Sequence, residues 1–65
     1  MATINFTVPD MACSACAETI TQAVQTLDAA ATVDADPTSK AVAVTTTETA
    51  ERIAAAITNA GYTIQ

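Results

Sequence analysis

A chain of 65 residues is enough for one small domain, and its composition narrows what that domain can do. Seven acidic residues outnumber the two basic ones, Lys40 and Arg52, and the formal charge of −5 argues against binding to nucleic acid or to an anionic membrane surface. Hydrophobic residues make up 51% of the chain, so a disordered protein is not expected. No apolar run approaches the roughly 20 residues of a membrane span.

The first half of the sequence predicts a strand followed by a helix. Residues 3–8 alternate between polar and apolar side chains, which is the period of a half-buried strand, and Pro9 and Asp10 end it. Apolar residues then recur with helical spacing, and this predicts a helix over residues 14–27 with Ser14 as its N-cap. The apolar stripe consists of Ile20, Ala23, Val24 and Leu27.

The middle of the sequence predicts two more strands joined by a turn. Residues 31–36 alternate again, residues 36–40 have the composition of a turn, and residues 41–46 predict a third strand. In that third strand, Val42 and Val44 should point toward the core.

The last third of the sequence predicts a second helix and a short strand. The helix should begin near Glu48, with Thr47 as its cap, and end near Ala60, because Gly61 suits the position that follows a helix. Its apolar stripe consists of Ala50, Ile53, Ala54 and Ile57. Residues 62–64 predict the final strand.

The order strand, helix, strand, strand, helix, strand predicts an α+β fold of the ferredoxin-like βαββαβ kind, as one domain over residues 1–65. Both helices should cover one face of a four-stranded antiparallel sheet, while Thr3, Asn5 and Thr7 face water on the other. The strand directions then bring the 11–16 connection, the 36–40 hairpin and the turn at residues 61–62 together at one end of the domain.

The chemistry of the chain centres on Cys13 and Cys16. Two cysteines three residues apart can aim both sulfurs at one point when the second lies in the opening turn of a helix, where unpaired N–H groups favour thiolate. The N-terminus lacks the pattern of a signal peptide, so a cytoplasmic protein is expected, in which a lone cysteine pair is more often metal-binding or catalytic than a disulfide.

Ligand counting favours copper(I) as the metal. A closed zinc site needs four ligands, whereas this chain has two cysteines and no histidine. Soft thiolates select soft ions, and two of them can serve copper(I) fully. The residues alone leave two alternatives open, which are a small disulfide or pair of inert thiols and a thiol–disulfide oxidoreductase. Softness does not exclude Zn(II), Cd(II), Hg(II) or Ag(I).

The run Met11-Ala12-Cys13-Ser14-Ala15-Cys16 resembles the M-x-C-x-x-C motif of the heavy-metal-associated domain family. The surrounding residues 7–18 are similar to bacterial copper(I) chaperones of the Atx type, and Ala60-Gly61-Tyr62 resembles the family's closing turn. The resemblance implies that Cys13 and Cys16 bind copper(I) and that Met11 packs inward beneath the loop. Tyr62 matches a position near the site, where it either acts on the metal or only packs at the sheet edge.

The resemblance further implies a copper chaperone that transfers its ion by ligand exchange to the soluble domain of a copper-transporting P-type ATPase. Enzymatic activity is not expected, because the chain has no histidine and its carboxylates show no paired arrangement. A metal-binding domain cut from such an ATPase is the alternative, although the start at Met1 and the lack of a linker favour the chaperone. An open site would also allow copper to bridge a homodimer. The residues expected to dock the partner surround the cysteines and are Asp10, Ala12, Ser14, Ala15 and Glu18.

Overall fold

Three strands and two helices follow one another in the predicted order in the computed structural model, which describes residues 2–65. They are β1 (Ala2–Thr7), α1 (Ser14–Leu27), β2 (Thr32–Asp36), β3 (Ala41–Thr46) and α2 (Ala50–Asn59). The α+β class is therefore confirmed. Met1, the first residue of the predicted domain, lies outside the described residues.

The sheet is antiparallel with the strand order β1-β3-β2. Ile4 pairs with Val44 and Phe6 with Val42 on the face that the helices cover, whereas Thr3 and Thr7 are exposed on the other face. Val42 and Val44 are buried, as their alternation predicts. The helices add Ile20, Val24, Ile53 and Ile57 to the same core.

The predicted fourth strand is wrong. Within the described residues, one backbone hydrogen bond joins the C-terminal segment to β1, from the N–H of Gln65 to the carbonyl of Thr7 at 2.8 Å. The N–H of Thr63 instead donates to the carboxylate of Asp10. Because a side chain takes the hydrogen bond that a ladder would need, residues 62–65 lie at the free edge of β1 without forming a strand.

Both predicted helix caps are also wrong. The N-cap of α1 is Cys13, which has an extended backbone and makes no side-chain capping bond, and its carbonyl accepts from Ala17 N–H. The N-cap of α2 is Thr49, whose hydroxyl accepts from Arg52 N–H at 3.3 Å. Thr47 does not cap α2, which begins only at Ala50, and the Glu48 N–H ahead of the helix is bound to the Thr46 hydroxyl at 3.1 Å.

Gly61 follows α2 with a φ of 100°, as the predicted helix end requires. The predicted turn also forms, with the Asp36 carboxylate accepting from Thr38 N–H at 2.9 Å. Among residues 2–65, no helix has the length and apolar character needed to cross a membrane.

Candidate metal centre

The cysteine loop, residues 11–16, leaves the core at a fully buried methionine and ends in the first turn of α1. Val8 and Met11 both have 0% of their surface exposed, and the Met11 N–H donates to the Val8 carbonyl at 3.1 Å. The expectation that Met11 packs inward is therefore confirmed. Burial of Met11 fixes one end of the loop, and α1 fixes the other.

The two cysteine sulfurs lie 3.6 Å apart, and both thiols are free. Cys13 is exposed and Cys16 is half-buried. Metal–thiolate bonds to an ion such as zinc are about 2.3 Å long, so one ion can bond to both sulfurs without drawing them together. Because Cys13 is exposed, an ion held by the pair would be open to an incoming ligand.

The pKa of the Cys16 thiol is lowered from 9.0 to about 7. The largest cause is hydrogen bonding from the Tyr62 hydroxyl, followed by the backbone of Ala12 and the Cys13 side chain, while partial burial opposes them. The same contact raises the pKa of Tyr62, because a phenol that donates to a thiolate holds its proton more tightly. Cys16 is thus half thiolate near neutral pH, which is the form that binds metal.

Lys40 supplies the positive charge at this end of the molecule. Its Nζ donates to the Met11 carbonyl at 2.7 Å, and its own carbonyl accepts from Val8 N–H at 2.9 Å. The 36–40 hairpin and the cysteine loop therefore meet, as predicted. Arg52, the other cation, lies in α2 and pairs with Glu48 at 3.5 Å.

The C-terminal segment brings Tyr62 to the same end. Its backbone is bonded on both sides, since Tyr62 N–H donates to the Ile57 carbonyl at 3.4 Å and Thr63 N–H lies 3.1 Å from each carboxylate oxygen of Asp10. The predicted meeting of loop, hairpin and final turn is confirmed. Tyr62 thus lies beside Cys16 although no fourth strand carries it there.

The remaining residues predicted to dock a partner surround Cys13 at the surface. All of them are exposed, as their positions in the cysteine loop and the first turns of α1 require; they are Ala12, Ser14, Ala15 and Glu18. Asp10 is exposed too, but its carboxylate is bound to Thr63. Among residues 2–65, no group of three or more potential metal-binding side chains comes together, so the cysteine pair offers a two-ligand site.

The model of the heavy-metal-associated domain family matches residues 5–63, which is nearly the whole chain. This chain belongs to the heavy-metal-associated domain family. Comparison with curated proteins gave no significant match.

Solved structures similar to this heavy-metal-associated domain include several of the Atx1 type. Copper chaperone Atx1 from Synechocystis, in a trimeric Cu1 form of a histidine-to-tyrosine variant, is 50% identical, with a TM-score of 0.92 over 95% of this chain and 98% of that one. A gold-binding protein is 44% identical, with a TM-score of 0.90 over 94% of each chain. The protein Atu1203 of Agrobacterium tumefaciens is 44% identical, with a TM-score of 0.88 over 95% and 97%.

Two residues of this heavy-metal-associated domain have contacts at the site that sequence patterns did not reveal. Lys40 is predicted to lie in the hairpin at the same end as the cysteine loop, but its hydrogen bond to the Met11 carbonyl is not predicted. Asp10 is predicted to dock a partner, and its bond to Thr63, which spans 53 residues of sequence, is not predicted. No local pattern encodes a contact of that separation.

Proposed function

We propose that this protein is a copper(I) chaperone that binds one Cu(I) between Cys13 and Cys16 and passes it to another protein in the cytoplasm. The observation that carries the proposal is the pair of free thiols 3.6 Å apart at the exposed start of α1, one of them with a pKa of about 7. Two thiolates satisfy a soft ion that accepts low coordination numbers. The role is carriage of a cargo ion, without catalytic turnover.

The relatives support copper as the cargo and soft metals as the class. Solved structures similar to this chain include Atx1 proteins named as copper chaperones, and another is named as a gold-binding protein. Gold and copper in their monovalent states are both soft ions that thiolates bind. We therefore expect the site to prefer Cu(I), Ag(I) and Au(I) over Zn(II), which seeks four ligands.

Transfer would proceed by ligand exchange at the exposed sulfur. A thiolate of the acceptor forms a bond to Cu(I) and the bond between copper and Cys13 breaks; a second acceptor thiolate then replaces Cys16 in the same way. Copper remains in the monovalent state throughout. Cys13 should leave first because it is exposed, whereas Cys16 is half-buried beside Tyr62.

The acceptor we propose is the soluble domain of a copper-transporting P-type ATPase that carries its own cysteine pair. The exposed residues around Cys13 are small apart from Glu18, so a facing loop can approach the metal closely. A brief contact of this kind is small, and charge then governs its rate more than its area does. With a formal charge of −5, this protein should favour a basic docking face.

Copper stoichiometry under anaerobic, reducing conditions tests the proposal. Native mass spectrometry should show one Cu(I) per monomer at low loading, and Cys13→Ser and Cys16→Ser should each abolish tight binding. Ser39→Ala, in the nearby hairpin, is the matched control and should bind as the parent does. Tight binding retained by both cysteine variants would refute the ligand assignment, and a mass of two chains with one copper would instead indicate a bridged homodimer.

Copper transfer across a salt series tests the docking step. The transfer rate to a soluble ATPase domain should fall as salt rises, since charges are screened beyond about 8 Å at 0.15 M. Glu18→Gln should slow transfer at low salt, while Glu51→Gln, at the start of α2 and away from the cysteine loop, should not. A transfer rate that changes neither with salt concentration nor in Glu18→Gln would contradict electrostatic docking.

A thiol–disulfide oxidoreductase is the second candidate, because such enzymes also lower the pKa of one thiol in a C-x-x-C pair. The two functions differ in what the cysteines do under reducing conditions. A chaperone should bind Cu(I) tightly and turn over no disulfide substrate. Catalytic reduction of a disulfide-containing protein such as insulin would favour the oxidoreductase.

A further inference from the structure

The carboxylate of Asp10 bonds the chain just after β1 to the segment that carries Tyr62. Both of its oxygens lie 3.1 Å from the Thr63 N–H, which is a charge-assisted contact between residues that are 53 positions apart. Asp10 stands three residues before Cys13, and Thr63 directly follows Tyr62. One side chain therefore links the approach to the cysteine loop with the aromatic residue beside Cys16.

This link matters because the C-terminal segment lacks a strand ladder. After Gly61, the backbone of residues 62–65 is held by Ile57, by Asp10 and, at Gln65, by the Thr7 carbonyl. The bonds at Tyr62 N–H and Thr63 N–H bracket the Tyr62 α-carbon from both sides. The bond from Tyr62 N–H to the Ile57 carbonyl is 3.4 Å long, whereas that from Thr63 N–H to the Asp10 carboxylate is 3.1 Å. The Asp10 bond is therefore the stronger of the two.

We propose that Asp10 is a positioning residue for the metal site, whose carboxylate holds the Tyr62 ring and hydroxyl against Cys16. The inference rests on the proposed function, because the ring it positions flanks a proposed copper ligand. Loss of the carboxylate would release Thr63 N–H to water and let Tyr62 and Thr63 move away from the loop, while the Gln65 bond to Thr7 keeps the end of the chain in place. The site would then keep both thiolates but lose the group that covers one of them.

The position of Tyr62 in the reduced, metal-free protein provides the first test. Tyr62 is the only tyrosine and the chain has no tryptophan, so tyrosine fluorescence reports on this residue alone, and its ring protons need only be distinguished from those of Phe6. In Asp10→Ala, nuclear Overhauser contacts between the Tyr62 ring and the Cys16 β-protons should be lost, and quenching of tyrosine fluorescence by acrylamide should rise. The methyl signals of Ile53 and Ile57 should stay in place and show that the core is intact.

Two matched variants separate the hydrogen bond from the loss of charge. Asp34→Ala removes an exposed carboxylate from β2 and should leave the Tyr62 signals unchanged. Asp10→Asn keeps one acceptor oxygen and should retain most of the contacts between Tyr62 and Cys16. Contacts that persist in Asp10→Ala would overturn the proposal, as would an equal loss in Asp34→Ala.

Copper release provides the second test. It separates an effect of Asp10 that acts through Tyr62 from any effect that does not. Removal of Cu(I) by bicinchoninate should be faster in Asp10→Ala and in Tyr62→Ala, and the double variant should release copper no faster than Tyr62→Ala alone. Additive acceleration would overturn the proposal. If the parent protein binds no Cu(I), the proposed function fails, whereas the spectroscopic test of Asp10 still gives its own answer.

Discussion

The ammonium group of Lys40 donates a 2.7 Å hydrogen bond to the carbonyl oxygen of Met11, 29 residues earlier in the chain. Lys40 also has a φ of 65°, a left-handed conformation that costs a residue with a β-carbon about 1 kcal/mol. A glycine or asparagine would adopt that turn more easily, so the lysine at this position is explained by what its side chain does. It joins the hairpin to the cysteine loop at the point where the loop leaves the core.

Replacement of Lys40 by methionine should therefore loosen the cysteine loop. A hydrogen bond to a charged group contributes about 1.5–3 kcal/mol, and the lower end applies because this contact is only partly buried. Urea unfolding of the reduced protein should reveal the loss, and amide exchange of loop residues should quicken. Arg52→Met is the control, since its ion pair is exposed and should be worth no more than about 0.5 kcal/mol. Equal effects of the two variants would contradict a specific role for Lys40.

Met11 should matter for folding more than for copper. Its side chain is fully buried, so Met11→Ala should cost about 2–5 kcal/mol, whereas Met11→Leu keeps the volume and should cost less than about 1.5 kcal/mol. Copper affinity of Met11→Leu should match that of the parent in competition with bicinchoninate. A large loss of affinity with unchanged stability would instead make the thioether a metal ligand.

The buried hydroxyl of Thr46 should stabilise the junction between β3 and α2. It donates to the Asp28 carboxylate at 2.6 Å and accepts from Glu48 N–H at 3.1 Å, which leaves two partners unpaired in Thr46→Val. That change should cost about 1–3 kcal/mol. Thr32→Val, at an exposed position of β2, should change stability by less than about 0.5 kcal/mol.

The hydrogen bond between Thr46 and the Asp28 carboxylate also predicts how the free energy of unfolding changes at acidic pH. The Thr46 hydroxyl holds the pKa of Asp28 below its ordinary value of 3.8, so the folded protein binds that proton less readily than the unfolded chain does. The resulting stabilisation is present above the ordinary pKa and is lost as pH falls through the lower, folded value. Denaturation midpoints in acid should show that loss in the parent and a smaller one in Thr46→Val.

Periodicity was sufficient to predict two helices, three strands and the end of the molecule where the site lies. It failed where a side chain, and not the backbone of a helix or strand, accepted a backbone N–H. Thr63 N–H bonds to Asp10 instead of extending a ladder, and Glu48 N–H bonds to Thr46 instead of starting α2. The cysteine pair was predictable because its two members are three residues apart in sequence, whereas Lys40 and Thr63 reach this end of the molecule only through the fold.

The Cys16 thiol makes stability depend on pH in the same direction as Asp28 does, but at higher pH. Its folded pKa of about 7 lies below the ordinary 9.0, so the metal-free protein should gain stability as pH rises from about 7 to about 9, with the full contribution above that range and none below it. Urea midpoints of the reduced protein, compared with Cys16→Ser, should reveal this rise. Measurements should stop below pH 10.0, the ordinary value above which the raised pKa of Tyr62 opposes folding.

Tyr62 acts on Cys16 in two separable ways, through its hydroxyl and through its ring. The hydroxyl is the largest cause of the lowered pKa of Cys16, so both Tyr62→Phe and Tyr62→Ala should raise that pKa toward 9.0, as thiolate absorbance in a pH titration would show. The ring packs against the core beside Cys16, and only the alanine variant removes it.

Copper release should distinguish the two contributions of Tyr62. If the ring limits the approach of competing ligands, removal of Cu(I) by bicinchoninate should quicken in Tyr62→Ala and stay near the parental rate in Tyr62→Phe, with one copper bound per chain in all three proteins. Equal acceleration in both variants would assign the effect to the hydroxyl, because only that group is missing from both. Unchanged release in both would mean that Tyr62 only packs at the sheet edge, and that the lowered pKa of Cys16 serves metal uptake without delaying metal loss.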